Sequence, residues 1–250
     1  MTTAMKLEYT DNILQFPMQN MQSVQQPAKR TNSPFKSNGQ PKATAADPIR
    51  DITDVHKMQE YFKGKKQIRN YMLITLGISF ALRAGDLLSL RIEHIYNKDG
   101  SVKNYVEIYE DKTNKRNKIR INSTCKAALE QYLEFLEKSS DGIIFTSDPL
   151  FASREKDSWG RKKALTLRQL NNILKKAAKE CGVEDHVSSH SMRKTYAYQA
   201  MQAHGENQET LYALQYTFNH SDIRTTMRYT GMQQDKADKL REEIGNMLEL

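Results

Sequence analysis

Cysteine is nearly missing from this chain. Its 250 residues include only Cys125 and Cys181. They stand far apart, with no second thiol or histidine at ligand spacing, which excludes a disulfide framework and a structural zinc site. A reducing compartment, the cytoplasm, is the expected setting. No stretch approaches the run of about 18 apolar residues that a membrane span needs, and Met1 to Pro17 lacks a basic start followed by an apolar core. Neither export nor membrane insertion is expected. Also absent are a G-x-x-x-x-G-K-[ST] phosphate loop and a carboxylate cluster suited to magnesium. The reading therefore calls for no cofactor and no metal.

Charge, by contrast, is abundant. Lys and Arg number 38 against 30 Asp and Glu, for a formal charge of +8 and a pI of about 9.3. Mixed signs with a basic surplus describe a folded protein with an anionic partner, and nucleic acid is the first candidate. From Met1 to about Pro48 the chain is rich in Gln, Asn, Ser, Thr and Pro, with apolar residues at no regular period. This composition predicts a largely disordered tail over 1–48, with Leu7–Phe16 as its one candidate element. The folded region is expected over 49–250.

Within it, Val55–Phe62 is amphipathic and closed by Gly64, and Gln67–Leu82 is the most apolar segment of the chain, long enough for a core helix. A short helix through Leu90 follows. Tyr105–Tyr109 and Lys118–Ile121 both alternate, which predicts a hairpin whose basic turn carries Lys112, Lys115, Arg116 and Lys118. Ala127–Leu136 reads as a helix, Ile143–Phe145 as a short buried strand and Leu165–Cys181 as an amphipathic helix stopped by Gly182. From about Ser189 the pattern is helical again, punctuated at Gly205, Asn219 and Gly231. The sum is an α+β domain, mostly helical, with one small antiparallel sheet.

The densest chemistry lies in the last quarter: His190-Ser-Met-Arg193, then Asn219-His220, then Arg228-Tyr229-Thr230-Gly231. His190 and Arg193 are three apart and share a helix face. Ser221, as N-cap, opens through Asp222 a two-turn helix that ends at Tyr229, beside His220. An isolated H-x-x-R is ordinarily a surface pair, and a lone tyrosine on a helix is ordinarily packing. The other runs, Arg161-Lys162-Lys163 and Lys175-Lys176, read equally as solvated faces or as phosphate contacts.

Taken in order, Arg83, Lys112, His190, Arg193, His220 and Tyr229, nine residues after that histidine, resemble the tyrosine recombinase or phage integrase family of the lambda-integrase type. The resemblance runs from about Asp51 to Leu250. Ala81-Leu-Arg83-Ala-Gly-Asp86 is similar to the family's first arginine box, in which an acidic residue supports the arginine; Asp86 is alternatively a helix cap. The resemblance implies a site-specific recombinase or integrase that cuts and rejoins duplex DNA through a 3′-phosphotyrosine. Relaxation of supercoils by the same chemistry and a non-catalytic DNA-binding regulator are the competing readings.

The residue chemistry agrees with those roles. Planar guanidinium groups, Arg83 and Arg193, suit the extra negative charge of a pentavalent phosphorus. A phenol of pKa about 10 needs help to act as a nucleophile at neutral pH, and His190 is the candidate base. The departing 5′ oxygen needs a proton, which a hairpin lysine, Lys112 or else Lys115, can supply. The resemblance gives His220 a hydrogen bond to a nonbridging oxygen.

Two departures from the family stand out. Its members carry an upstream core-binding domain, whereas the segment before Asp51 holds six Lys or Arg against three Asp or Glu and is too short for such a domain. An accessory DNA-binding protein is one way to fill that gap. Phe218-Asn219 stands where a Leu-Gly pair is usual, and asparagine tolerates the left-handed backbone that glycine provides. Finally, 233–250 predicts a helix with Ala237, Leu240, Ile244 and Met247 on one stripe. The resemblance implies docking on a neighbouring protomer within a DNA-bound tetramer; packing on its own domain is the alternative.

Overall fold

A computed structural model of the protein describes residues 46–139 and 143–248. Leu7–Phe16 and nearly all of the expected tail lie outside the described residues. Ala46, Pro48 and Ile49 are buried, so packed residues extend slightly ahead of Asp51.

In chain order the elements are helices α1 (Ile52–Gly64), α2 (Ile68–Ser79), α3 (Ala84–Leu88) and α4 (Ile92–Ile95), then strands β1 (Tyr105–Tyr109) and β2 (Arg116–Arg120). They continue with α5 (Ser123–Ser139), strands β3 (Ala152–Lys156) and β4 (Lys162–Ala164), and α6 (Leu167–Glu180). The last four are α7 (Ser189–His204), α8 (Gln208–Thr217), α9 (Ile223–Thr230) and α10 (Met232–Met247).

Asp51 starts α1 by accepting the Thr53 amide at 2.8 Å, which satisfies one of the free amides of a helix start. Val55, Met58 and Phe62 are then buried as one stripe. α2 is buried continuously from Met72 to Gly77, the pattern of a helix surrounded by others; α1, α5 and α7 all pack on it. A Cβ on Gly77 would lie 2.3 Å from the Met192 sulfur of α7. Glycine is what lets these helices approach, and that approach brings the end of α2 beside the start of α7.

β1 and β2 pair antiparallel, with Tyr105 opposite Arg120 and Tyr109 opposite Arg116. Val106 and Ile108 point into the core while Tyr105 and Tyr109 point out, as the strand period of two requires.

Several expectations need correction. Arg116 and Lys118 belong to β2, so the turn is shorter than the basic run suggested. Ile143–Phe145 is not a strand: only Ile144 is buried, and Ile143 and Phe145 are 61% and 41% exposed. Instead of one small sheet there are two two-stranded sheets, the second formed by β3 and β4, whose turn and second strand carry Arg161, Lys162 and Lys163. The cap of α9 is Asp222, not Ser221; its carboxylate accepts the Arg224 amide at 2.9 Å.

The main core spans α1 to α6 and the front of α7. A second, smaller cluster holds Ala197, Met201, Leu214, Phe218 and Met232, with Tyr196, Tyr198 and Tyr229 against it. The nucleophile candidate thus stands on its own small core.

Candidate active site

Arg193 lies at the centre of the polar cluster and is only 1% exposed. Its Nη1 donates to the Ala81 carbonyl at 2.5 Å and its Nη2 to the Phe218 carbonyl at 2.8 Å. Ala81 precedes Arg83 and Phe218 precedes His220, so one side chain ties together three distant segments of the chain. The backbone is turned to allow this: Ala81 and Asn219 both have φ of 52°. This left-handed region costs a residue with a Cβ and is held only by its surroundings. Asparagine does take the conformation expected of a glycine substitute, and its side-chain amide also donates to the Arg116 carbonyl at 3.3 Å.

The His220 ring lies 5.1 Å from that of Tyr229, tilted by 52°, and Phe218 lies 5.7 Å from the same ring. Arg193 sits above Phe218 at 4.2 Å and within 5.7 Å of the Tyr229 ring centre. His220 Nδ1 is 3.0 Å from Thr226 Oγ1 and its Nε2 3.5 Å from Arg193 Nη2. Arginine only donates, so Nε2 is the acceptor here and Nδ1–H donates to the threonine. Burial, then the charges of Arg193 and Arg83, push the His220 pKa down to about 4, so the ring is neutral at neutral pH. Burial, with Arg83 next in weight, lowers Arg193 to about 10; it remains cationic.

Arg83 is paired from the other side by a residue that the sequence reading did not single out. Its Nη1 donates to Glu110, which is fully buried and also accepts from Thr113 at 2.8 Å and from Asn117 at 3.0 Å. Burial alone would raise the Glu110 carboxyl; Arg83, Thr113 and Asn117 together hold it below its ordinary value. A signal for this residue was present: Glu110 continues the inward phase of Val106 and Ile108, and a carboxylate in phase with core positions needs a cation.

Asp86 does not cap α3, because it lies inside the helix. Its Oδ1 accepts the Asp111 amide at 3.0 Å, its Oδ2 is 3.9 Å from Arg83 Nη1, and burial raises its pKa. It anchors the β1–β2 turn and supports Arg83 only from a distance.

Lys112 is exposed in that turn, and its charge is felt at both His190 and His220. Lys115 is exposed at the far end of the same turn. His190, at the start of α7, presents an exposed edge; desolvation of the rest of the ring, then Lys194, Arg193 and Lys112, lower its pKa. It is a neutral imidazole able to accept a proton. Tyr229 is half-buried, and no hydrogen bond holds its hydroxyl among the described residues.

The basic residues divide. Arg116 and Lys118 lie beside the site on the outer face of β2, both paired with Glu107. Arg161, Lys162 and Lys163 are on the second hairpin, where Arg161 pairs with Asp157 at 2.7 Å and Lys162 with Asp148 at 2.9 Å. Lys162 borders a cavity of about 480 Å³ together with Lys66, Arg69 and Arg154. That cavity is at the opposite end of α2 from Arg83, a helix length of about 18 Å away, so this group does not join the catalytic cluster.

A tyrosine beside the neutral His220 and the buried Arg193, with Arg83 reached through the same junction, on a mostly helical domain, is a set of groups suited to an enzyme that works on phosphodiesters. The profile of the phage integrase family matches residues 47–236. The probable integrase/recombinase YoeC of Bacillus subtilis (strain 168) is 31% identical over 75% of this chain and 91% of its own length. Tyrosine recombinase XerD of Listeria innocua is 24% identical over 81% of this chain but only 64% of its own length. Among solved structures, XerA recombinase superposes with a TM-score of 0.59 at 18% identity, covering 81% of this chain and 66% of that one. XerH site-specific recombinase, bound to its palindromic difH substrate after cleavage, gives 0.58 at 18% identity, covering 83% and 59%. The chain belongs to the phage integrase family, and its fold is that of a tyrosine recombinase catalytic domain.

Proposed function

We propose that the chain is a site-specific DNA recombinase or integrase in which Tyr229 breaks and remakes DNA strands. The observation that carries this reading is the junction at Arg193, which brings the Arg83 segment, the His220 loop and the Tyr229 ring to one place.

The Tyr229 oxygen attacks the scissile phosphorus while His190 accepts the phenolic proton. The 5′ oxygen leaves with a proton from Lys112, and the phosphorus stays on the enzyme as a 3′-phosphotyrosine. Attack by a 5′ hydroxyl reverses each transfer and rejoins the strand. Arg83 keeps Nε and Nη2 free of protein partners among the described residues, so it is the open guanidinium that meets the nonbridging oxygens. Arg193, being buried, supplies charge and sets the ring of His220. When a phosphate oxygen replaces the long Arg193 contact, the other tautomer serves: the single imidazole proton moves from Nδ1 to Nε2 by exchange with solvent, the Thr226 hydroxyl rotates to donate to Nδ1, and Nε2–H donates to that oxygen.

Duplex DNA is the partner, met through Lys115, Arg116 and Lys118 near the site and Arg161, Lys162 and Lys163 on the second hairpin. Leu240, Ile244 and Met247 of α10, and Leu248 just beyond its end, are between 53% and 76% exposed. We assign this stripe to a neighbouring copy on DNA, and the assembled protein to a tetramer, as the family resemblance implies. We assign the rest of the DNA clamp to an accessory DNA-binding protein.

A nicked suicide duplex, built on a sequence selected from a random pool, tests the chemistry. Wild type should form a covalent protein–DNA adduct and Tyr229→Phe none. A wild type that binds this duplex but forms no adduct would remove the catalytic reading; an adduct from Tyr229→Phe would move the nucleophile elsewhere.

A further inference from the structure

The entry segment, residues 46–50, runs as an extended strap along α7. The buried Thr195 hydroxyl accepts the Ile49 amide at 2.9 Å, Gln199 donates to the Arg50 carbonyl at 2.8 Å, and Lys194 donates to the Ala46 carbonyl at 2.6 Å. Ile49 is completely buried. The strap then meets the joint between the nucleophile's helix and the last helix. Gly231, with φ of 72°, both ends α9 and begins α10. A Cβ there would lie 2.8 Å from Pro48 Cγ, so strap and joint are in direct contact. One turn further on, Arg50 closes the arrangement. Its Nη1 reaches Asp185 at 2.7 Å, just ahead of α7, while its Nη2 and Nε reach Asp235 of α10 at 3.0 and 3.1 Å.

Among the described residues, α10 has few other anchors to the rest of the domain. Met232 is buried and Lys236 pairs with Glu206, but most of the helix beyond Met232 is exposed. A pivot with left-handed geometry, two residues from Tyr229, is thus restrained mainly by Pro48 and Arg50.

We propose that Arg50 is a positioning residue for Tyr229: by bridging Asp185 and Asp235 it locks the Gly231 joint. The kinetic part rests on the recombinase reading above; the mechanical part does not. An aromatic oxygen displaced by about 1 Å from attack geometry is worth up to a hundredfold in rate. The lock therefore acts on turnover and not on DNA affinity.

Hydrogen–deuterium exchange on the full, DNA-free chain tests the lock, comparing wild type with Arg50→Gln, Asp235→Asn and the control Lys236→Gln. Arg50→Gln and Asp235→Asn should raise exchange across 225–236 about tenfold, since local opening governs exchange, with α2 and α5 unchanged. Unaltered exchange at 225–236, or equal acceleration throughout the core, overturns the proposal, and Asp235→Asn stands in should Arg50→Gln fail to fold. On the suicide duplex at saturating concentration, Arg50→Gln should slow adduct formation about ten- to a hundredfold with unchanged DNA affinity, and Arg50→Lys should recover part of the rate. A loss accounted for wholly by weaker DNA binding would also overturn it. If wild type itself forms no adduct, the recombinase reading falls while the exchange result still decides the lock.

Discussion

Glu110 shows how the candidate catalytic arginine, Arg83, is held before any substrate arrives. Its carboxylate has no solvent and three protein donors, Arg83, Thr113 and Asn117, so it is a fixed negative charge that keeps one edge of the guanidinium occupied and turns the others outward. Breaking a buried pair from one side costs about 3–5 kcal/mol, because the surviving charge is left uncompensated. Arg83 retains some exposure, so the lower end applies: Glu110→Gln is expected to lose about 3 kcal/mol in denaturant titration and to slow adduct formation at least tenfold. Asp86→Asn should do less to the rate, since it leaves the Glu110 pair intact. A larger rate loss in Asp86→Asn than in Glu110→Gln would return the orienting role to Asp86. At this scale Arg83, Arg193, His220 and Tyr229 were legible because their order and spacing are unusual. Glu110 was hidden among 30 acidic residues and becomes visible only when the strand's phase is followed past Tyr109.

Among the elements, those with a strong period were readable and those without were not. Val55, Met58 and Phe62 mark α1 unmistakably, as the unbroken apolar run marks α2. β3 and β4 read Ala-Ser-Arg-Glu-Lys and Lys-Lys-Ala, with no apolar alternation, because neither strand buries a face. Ile143–Phe145 misled in the opposite direction: three apolar residues in a row, of which the fold buries one. The β1–β2 hairpin was correctly anticipated but drawn with too long a turn, since Arg116 and Lys118 are basic and yet lie in the strand. Shortening the turn concentrates attention on Lys112. Lys112→Met should slow cleavage of an ordinary duplex by about a hundredfold or more, the usual worth of a positioned acid. It should leave nearly unchanged the cleavage of a duplex whose bridging 5′ oxygen is sulfur, a group that departs without a proton. Equal slowing on both duplexes would remove the general-acid role, and the same selectivity in Lys115→Met would transfer it.

For the molecule as a whole, α10 is the element least committed to its own domain. Three large apolar side chains, Leu240, Ile244 and Met247, stand in solvent on a helix anchored chiefly at its first turn, and burying each would be worth about 1.5–3 kcal/mol. The double substitution Leu240→Asp and Ile244→Asp should therefore leave the melting temperature of the free protein within a degree or two, since exposed positions contribute little. Sedimentation on duplex DNA should lose the higher-order complex. Assembly that survives the substitutions would refute the docking role, and a sharp fall in melting temperature would show that the stripe packs in cis. The junction at Arg193 has a different consequence. Its hydrogen bonds reach the backbone of two segments that are more than a hundred residues apart, so the cluster cannot be assembled piecemeal. A chain still folding, or one damaged in any of those segments, carries the tyrosine without the electrostatics that activate it. For a chain proposed to cut DNA, the completed fold is the safety catch.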